Sequence, residues 1–398
     1  MASSLRTKLR IVGTVLGCRG FFDAWLGRVV WQRLPLPNPS PEGEGLSEPP
    51  ITGGQGGDSG ADGNTKALRG ALHVHTCTYS DGAGTMEEVM GAAQRAGVDF
   101  VLLTDHNTMR PKADGWEEKY AGQTPFLIVG NEITVEGGAF LLALDIPGSF
   151  EFPVRQPSQE AIDAVLAVGG LPLVSLPFDM KHPWEDWDTT GCEGLEVLNL
   201  STVAREQINP LSLLFWLLPL WKLKGELAVI QALCARPDAS FARWDALLAT
   251  GQKSIGLGAL DAHALMKILG KKYPIPSYEN SFKAVCTHVL TEQRTPEAVH
   301  TAIRAGKCYF SYDCLGDAAG MVYQATSSSP KAMERTEQES GESSPSGSAK
   351  GDESAKRASR GRSMGEDAPL SSTLYARAPD PKAIVRIYKN GRVVAAGL

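Results

Sequence analysis

The sequence predicts an α/β fold of the parallel-sheet or barrel type, and three observations carry the prediction. From residue 67 to about 324, short β-rich runs alternate with helical segments, as strands joined by crossover helices do. The helical segments have recognisable start and stop signals. The 398 residues suffice for one large barrel-type domain plus something smaller.

Strands are expected over 71–75, 100–104, 126–129, 171–175, 194–199 and 254–259. Between the first two, Thr85 and Glu88 form a capping-box pattern and Gly97 supplies a C-terminal stop. Further helices are expected from about 158 to Gly169-Gly170, from about 240 to Gly251, and from Thr295-Pro296 to Gly306. The run 211–221 (LSLLFWLLPLW) contains Pro219 and is too short to span a membrane; it reads as a buried or capping helix, with an interface patch as the lesser reading.

The flanks differ in composition. Residues 1–34 read as a leader or membrane-proximal segment, because Arg6, Lys8 and Arg10 precede a short apolar run and Phe21, Phe22, Trp25 and Trp31 follow. Residues 35–66 are rich in Pro, Gly, Ser and Glu and read as a linker. The expected barrel occupies 67–325. A low-complexity insert without structure is expected over 326–372, and a small β-hairpin appendage over 373–398, turning at Asn390-Gly391. Seven cysteines, odd in number and without a C-x-x-C pair, suggest neither a disulfide framework nor a zinc ribbon. A cytoplasmic location is the main expectation, with export or weak membrane association through residues 1–31 as the minority reading.

Net charge is -6, so a basic face for duplex nucleic acid is not expected. A small anionic substrate remains compatible if a metal supplies local positive charge. Of the seven histidines, four follow expected strands with carboxylates nearby. His73 and His75, two apart on an extended segment, share a face. Asp105-His106 follows the run 100–103, Glu132 follows 126–130, and Asp261-Ala262-His263 follows 255–260. Side chains at the carboxyl ends of parallel strands converge on one face. Imidazoles and carboxylates without thiolates suit Zn, Mn or Fe. Taken singly, each motif is as well explained by a turn, a cap or a core histidine; their joint placement favours a metal site made of His73, His75, Asp81, His106, Glu132, Asp261 and His263.

Five strings, Leu72-His73-Val74-His75-Thr76, Ser80-Asp81-Gly82, Leu103-Thr104-Asp105-His106-Asn107, Gly130-Asn131-Glu132-Ile133-Thr134 and Leu260-Asp261-Ala262-His263-Ala264, resemble in order and spacing the polymerase-and-histidinol-phosphatase (PHP) superfamily. The resemblance is to its free-standing phosphoesterase branch, which includes carbamate-hydrolase-like members, and it covers roughly residues 67–324. It implies a distorted (β/α)7 TIM-like barrel with two or three metals. It also implies that His73, His75, Glu132 and Asp261 hold one ion and Asp81, His106 and His263 another. Two family histidines are absent: Leu176 stands before Pro177, and Gly137-Gly138-Ala139-Phe140 replaces the other. Two divalent ions (Zn, Mn or Fe) are therefore expected, with His182 as a substitute ligand in the alternative case.

The expected function is metal-dependent hydrolysis of a small or nucleotide-like phosphate ester, with nuclease action or carbamate or ester hydrolysis as variants. Asp81 or His263 could relay a proton, and Arg205, Lys181 or His182 could bind the anionic group. The alternative is a catalytically degenerate barrel that binds metal or ligand without turnover.

Overall fold

The computed structural model describes residues 66–268 and 271–326, together with four short strands nearer the C-terminus. The expected leader, most of the linker and most of the low-complexity insert lie outside the described residues. Strands β1 (Lys66–Val74), β2 (Phe100–Leu103), β3 (Phe126–Val129), β4 (Asn131–Thr134), β5 (Phe140–Leu144), β6 (Leu171–Ser175), β7 (Gly194–Asn199) and β8 (Ile255–Ala259) are joined by two short strands, β9 (Met266–Ile268) and β10 (Lys271–Tyr273), and by β11 (Cys286–Thr291) and β12 (Cys308–Ser311). The helices that sequence signals mark are present as Met86–Ala96, Ser158–Ala167, Asp238–Ala249 and Pro296–Arg304. The first is held by the Thr85/Glu88 capping box and ends at Gly97, whose φ of 73° a side chain would resist.

The strands form two five-stranded sheets, ordered β12-β11-β1-β2-β3 and β4-β5-β6-β7-β8. The mixed α/β class is as expected, but a closed TIM-like (β/α)7 barrel is not confirmed, since no single sheet closes on itself among the described residues. β1, β2 and β3 pair in parallel, as do β6, β7 and β8, but β4–β5, β5–β6, β1–β11 and β11–β12 are antiparallel. The physical reason lies at Glu136–Gly138, a single tight turn with Gly137 and Gly138 at positive φ. It folds β5 back on β4 where a crossover helix would have kept the direction.

The two sheets are joined by isolated parallel bridges, Val74 with Ala262 and His106 with Glu132. Alternate residues of both sheets, among them Leu68, Leu72, Phe100, Leu102, Phe126, Ile128, Leu142, Leu171, Leu173 and Leu257, meet in one apolar cluster, and helix Pro296–Arg304 adds Val299 and Ile303 to it. The opposite faces pack against the outer helices in a larger cluster. Each buried side chain of this size contributes ~1.5–3 kcal/mol before entropy is counted, so the strand ends carrying the polar residues stand on a rigid base.

Within the stretch expected to lack structure, Arg362–Ser363 pairs with a strand at Val322–Thr326, which also pairs with Thr373–Arg377. Val385–Lys389 pairs antiparallel with Arg392–Gly397; the turn at 390–391 lies outside the described residues. The six described cysteines are free. The run expected as a buried or capping helix, or as an interface patch, is helical, with Leu217 buried and Leu211, Leu214 and Phe215 open to solvent. No helix among the described residues is long and apolar enough to cross a membrane.

Gly194 on β7 faces Ile255 on β8 so closely that an added Cβ would sit 2.2 Å from the Ile255 carbonyl oxygen. Backbone cannot yield as a side chain can. Gly194→Ala is expected to cost ~3 kcal/mol of unfolding free energy, read from urea denaturation; an unchanged midpoint would mean that the two strands do not approach this closely.

Candidate metal centre

β1 does not run straight through its two histidines. Its register with β2 shifts between Leu72 and Val74, and His73 takes a φ of 64°. This left-handed kink, costly for a residue with a Cβ, brings the His73 and His75 rings to 5.0 Å. They converge through a bulge, where simple alternation along an extended strand was expected.

Asp105, next to His106, is held by the Thr76 N–H and hydroxyl, both at 2.7 Å. Burial pushes its carboxyl up to about 6 despite those bonds. His106 itself bridges to Glu132, and Asn107 donates its N–H to the Glu132 carbonyl. Asp261 has a φ of 51° just beyond β8, and Ala262 pairs with the end of β1 through hydrogen bonds to His73 and His75. Tyr278 Oη donates to the carbonyls of His75 and His263, at 2.7 and 3.1 Å, tying the two loops together.

Around this frame all seven expected residues come together. Glu132 is fully buried, with its oxygens 3.2 Å from His73 Nε2, 3.4 Å from His75 Nε2 and 3.1 Å from His106 Nδ1. Asp261 Oδ1 lies 3.6 Å from both His73 and His75 and 3.3 Å from His263 Nδ1. Asp81, more exposed, reaches His263 Nε2 at 3.0 Å and His106 Nε2 at 3.5 Å. Two groups have donor atoms close enough for one ion each: His73, His75 and Asp261, and His75, Asp81, His106 and His263. His75 is thus common to both groups, where the resemblance assigns it to one, and Glu132 stands between them.

The electrostatics divide the imidazoles. His75 is pushed well below its ordinary value by burial and by its histidine neighbours, so it is neutral and can donate a lone pair. His73 is raised well above despite burial, because Glu132 and Glu196 face it. His263 is raised to about 9: burial opposes its charge, but Asp261 and Asp81 outweigh it. Asp81 is held low by its hydrogen bond to His263.

The donor set fits divalent ions on one further observation. His73 Nε2, both ring nitrogens of His75, His106 Nδ1 and Glu132 Oε2 are buried without a hydrogen bond. Leaving a buried polar atom unpaired costs ~1–3 kcal/mol, and here four of them, His73 Nε2, His75 Nε2, His106 Nδ1 and Glu132 Oε2, lie together, while His75 Nδ1 faces Asp105. Cations among them remove the penalty, and neutral imidazole with carboxylate is the chemistry of Zn, Mn or Fe.

Several contributors escape a reading of the sequence. Glu196, inside the otherwise apolar β7, accepts from His73 Nδ1 at 2.6 Å, from the Leu176 N–H at 3.0 Å and from Asn199 Nδ2 at 2.9 Å. It fixes the tautomer that leaves Nε2 free for a metal. A lone carboxylate in a buried strand is the signal that could have found it. Ser175 donates to Glu132 at 2.9 Å. Arg205, expected to bind substrate, bonds Asp179 at 2.9 Å and Asp261 Oδ2 at 3.0 Å, so its guanidinium meets the cluster already paired. The Lys181 side chain is exposed, and the residue does not line the cleft described next.

That cleft, of about 310 Å³, opens beside His106 and is lined by Asn107, Thr134, Gly138, Phe140, Arg155 and His182. His182 belongs to neither metal group. It packs over Gly138, where a Cβ would lie 2.8 Å from its Nδ1. At the places of the two absent histidines, Leu176 is buried and the Phe140 ring lies 5.5 Å from His106. Arg155, which sequence reading passed over, takes a φ of 62° and donates its N–H to Thr134 O.

Glu196→Gln keeps the shape of β7 but weakens the grip on His73. Metal affinity, measured by competition with a chromogenic chelator, is expected to fall ~10–100-fold, with the fold unchanged by circular dichroism; equal affinity would remove Glu196 from the site.

Residues 71–167 match the PHP domain family. Among solved structures, the chain is similar to a two-domain protein of Bacteroides vulgatus containing a predicted PHP-like metal-dependent phosphoesterase, with 17% identity and a TM-score of 0.39 over 63% of this chain and 66% of that one. It thus spans just under two thirds of that protein. It is also similar to PsfC from Pseudomonas syringae (12% identity, TM-score 0.39, 62% and 92% covered). A third is the lesion-specific endonuclease PfuEndoQ from Pyrococcus furiosus (12% identity, TM-score 0.37, 69% and 66% covered). No curated protein matches the chain. The segment that matches the family holds His73, His75, Asp81, His106 and Glu132 of the cluster.

Proposed function

We propose that the chain is a metal-dependent hydrolase of the free-standing phosphoesterase kind, acting on a small phosphate ester with two divalent ions. The observation that carries this reading is the set of buried, unpaired nitrogens, His73 Nε2, His75 Nε2 and His106 Nδ1, gathered around the Glu132 carboxylate. His73, His75 and Asp261 would hold one ion, His75, Asp81, His106 and His263 the other, with Glu132 between. Leu176 and Phe140, where the family usually has histidines, support two ions over three. Bound divalent ions supply a water that ionises near neutral pH and neutralise charge on phosphoryl oxygens.

The chain's own groups do the rest. Arg205 and Glu196 hold Asp261 and His73 in place. Asp81 and His263, 3.0 Å apart at the open side of the cluster, are positioned to pass a proton to a leaving oxygen. Arg155 and His182 line the cleft beside His106 and can take the anionic part of a substrate. Among the described residues the Arg155 side chain has no ion-pair partner, in contrast to Arg205. A small ester suits the volume of that cleft, and the acidic chain offers no broad basic face for duplex nucleic acid. We place this activity in the cytoplasm. The two absent histidines favour the competing reading, a degenerate module that holds ions without turnover.

A panel of phosphomonoesters, a phosphodiester and a carboxylic ester, assayed with Mn, Zn and Fe, separates the readings. Monoester turnover is expected, and Arg155→Ala should raise KM ~10-fold or more with kcat nearly unchanged, the loss of one charged hydrogen bond in binding. Retained metal with no turnover of any ester would leave the binding module standing.

A further inference from the structure

The helical arm between β7 and β8 is built with its apolar side outward. Asn209 caps it by accepting the N–H groups of Leu211 and Ser212, and three contiguous helical segments follow, Pro210–Ser212, Leu213–Leu217 and Leu218–Lys224, ending at Gly225 with φ 84°. The middle one is a π-turn, placed where Pro219 lacks an N–H for the preceding turn. Its inner side buries Leu217, while Leu211, Leu214, Phe215, Trp221 and Leu223 are 42–68% exposed. Leu211, Leu214 and Phe215 are spaced three and four apart and so share one face. Elsewhere among the described residues, exposed large apolar side chains are scattered. A run of five in so short a segment marks a surface that something covers.

Charge says what covers it. Between residues 207 and 225 there is no carboxylate, and the arm ends in Lys222 and Lys224, both exposed and without an ion-pair partner among the described residues. The nearest carboxylate on its far side, Glu226, is occupied by Ser277 and Asn280. The helical run is roughly 20 Å long, short of the ~30 Å hydrocarbon core of a bilayer, so it suits lying in an interface. Apolar and aromatic side chains flanked by lysines are the composition of an interfacial anchor on anionic lipid.

We propose that residues 211–224 dock the protein on an anionic lipid surface. The arm follows helix Leu200–Gln207, whose Arg205 bonds Asp261, so a single helix connects the docking segment to the candidate metal cluster. This inference does not depend on the reaction proposed above.

The test is flotation of the full chain with phosphatidylcholine vesicles, with and without phosphatidylglycerol. The chain is expected to float with the anionic vesicles only. Leu214→Gln with Phe215→Gln, exposed positions where glutamine keeps the helix, should lower the partition at least ~10-fold. Lys222→Gln with Lys224→Gln should weaken it several-fold, as added salt does for the unmodified chain. The proposal is overturned if the native chain fails to float or if the double glutamine variant floats equally. It is overturned too if sedimentation shows a concentration-dependent dimer that this variant dissolves, since the face would then belong to a second copy.

Discussion

Glu132 is the group on which the site depends. It is fully buried, and its two oxygens face three imidazoles at 3.1–3.4 Å. A carboxylate taken out of water is tolerated only when charge or hydrogen bonds replace its hydration. Burial opposes the charge, but the electrostatic pull of His73, with smaller contributions from His106 and the Ser175 hydrogen bond, holds the carboxyl below its usual range. The same imidazoles have unpaired nitrogens facing inward. Their donor atoms lie close enough together to be satisfied by bound cations.

The surrounding structure can be read as what holds that arrangement open. His73, Asn107, Leu176, Asp261 and Ala264 all occupy left-handed backbone conformations, concentrated at the strand ends that bear the site. Each costs of order 1–3 kcal/mol, and four of the five are fixed by neighbours: Glu196 on His73 and on the Leu176 amide, Thr134 on Asn107, Arg205 on Asp261. The apolar cluster shared by the two sheets gives these ends a stiff support. The parallel segments bring the ends to one side; the chain passes from one sheet to the other at Gly130, and the bridge between Glu132 and His106 ties β4 to the end of β2.

Much of this was legible in the sequence because strand ends are marked by where apolar runs stop. His106, Glu132, Asp261 and His263 each follow such a run, and the structure brings them together with His73, His75 and Asp81. What was illegible depends on contacts between distant segments. Glu196 reads as an ordinary polar position in a strand until His73 is seen against it. Arg205 reads as a substrate-binding cation until its forks are found on Asp179 and Asp261. β11 and β12 and the β4–β5 hairpin were passed over, the first two for want of a strong run and the last because a two-glycine turn is a weaker signal than a helix cap. The apolar arm misled in the other direction, since periodicity shows that a segment is apolar but not which side faces solvent.

Metal stoichiometry tests the central claim most directly. Protein purified without chelator would be analysed by plasma mass spectrometry beside an Asp261→Ala variant, which lacks a carboxylate from the first donor group. The account predicts about two transition-metal ions per chain in the native protein and a marked loss in the variant. A chain that carries essentially none, and takes up none of added Mn, Zn or Fe, would contradict it.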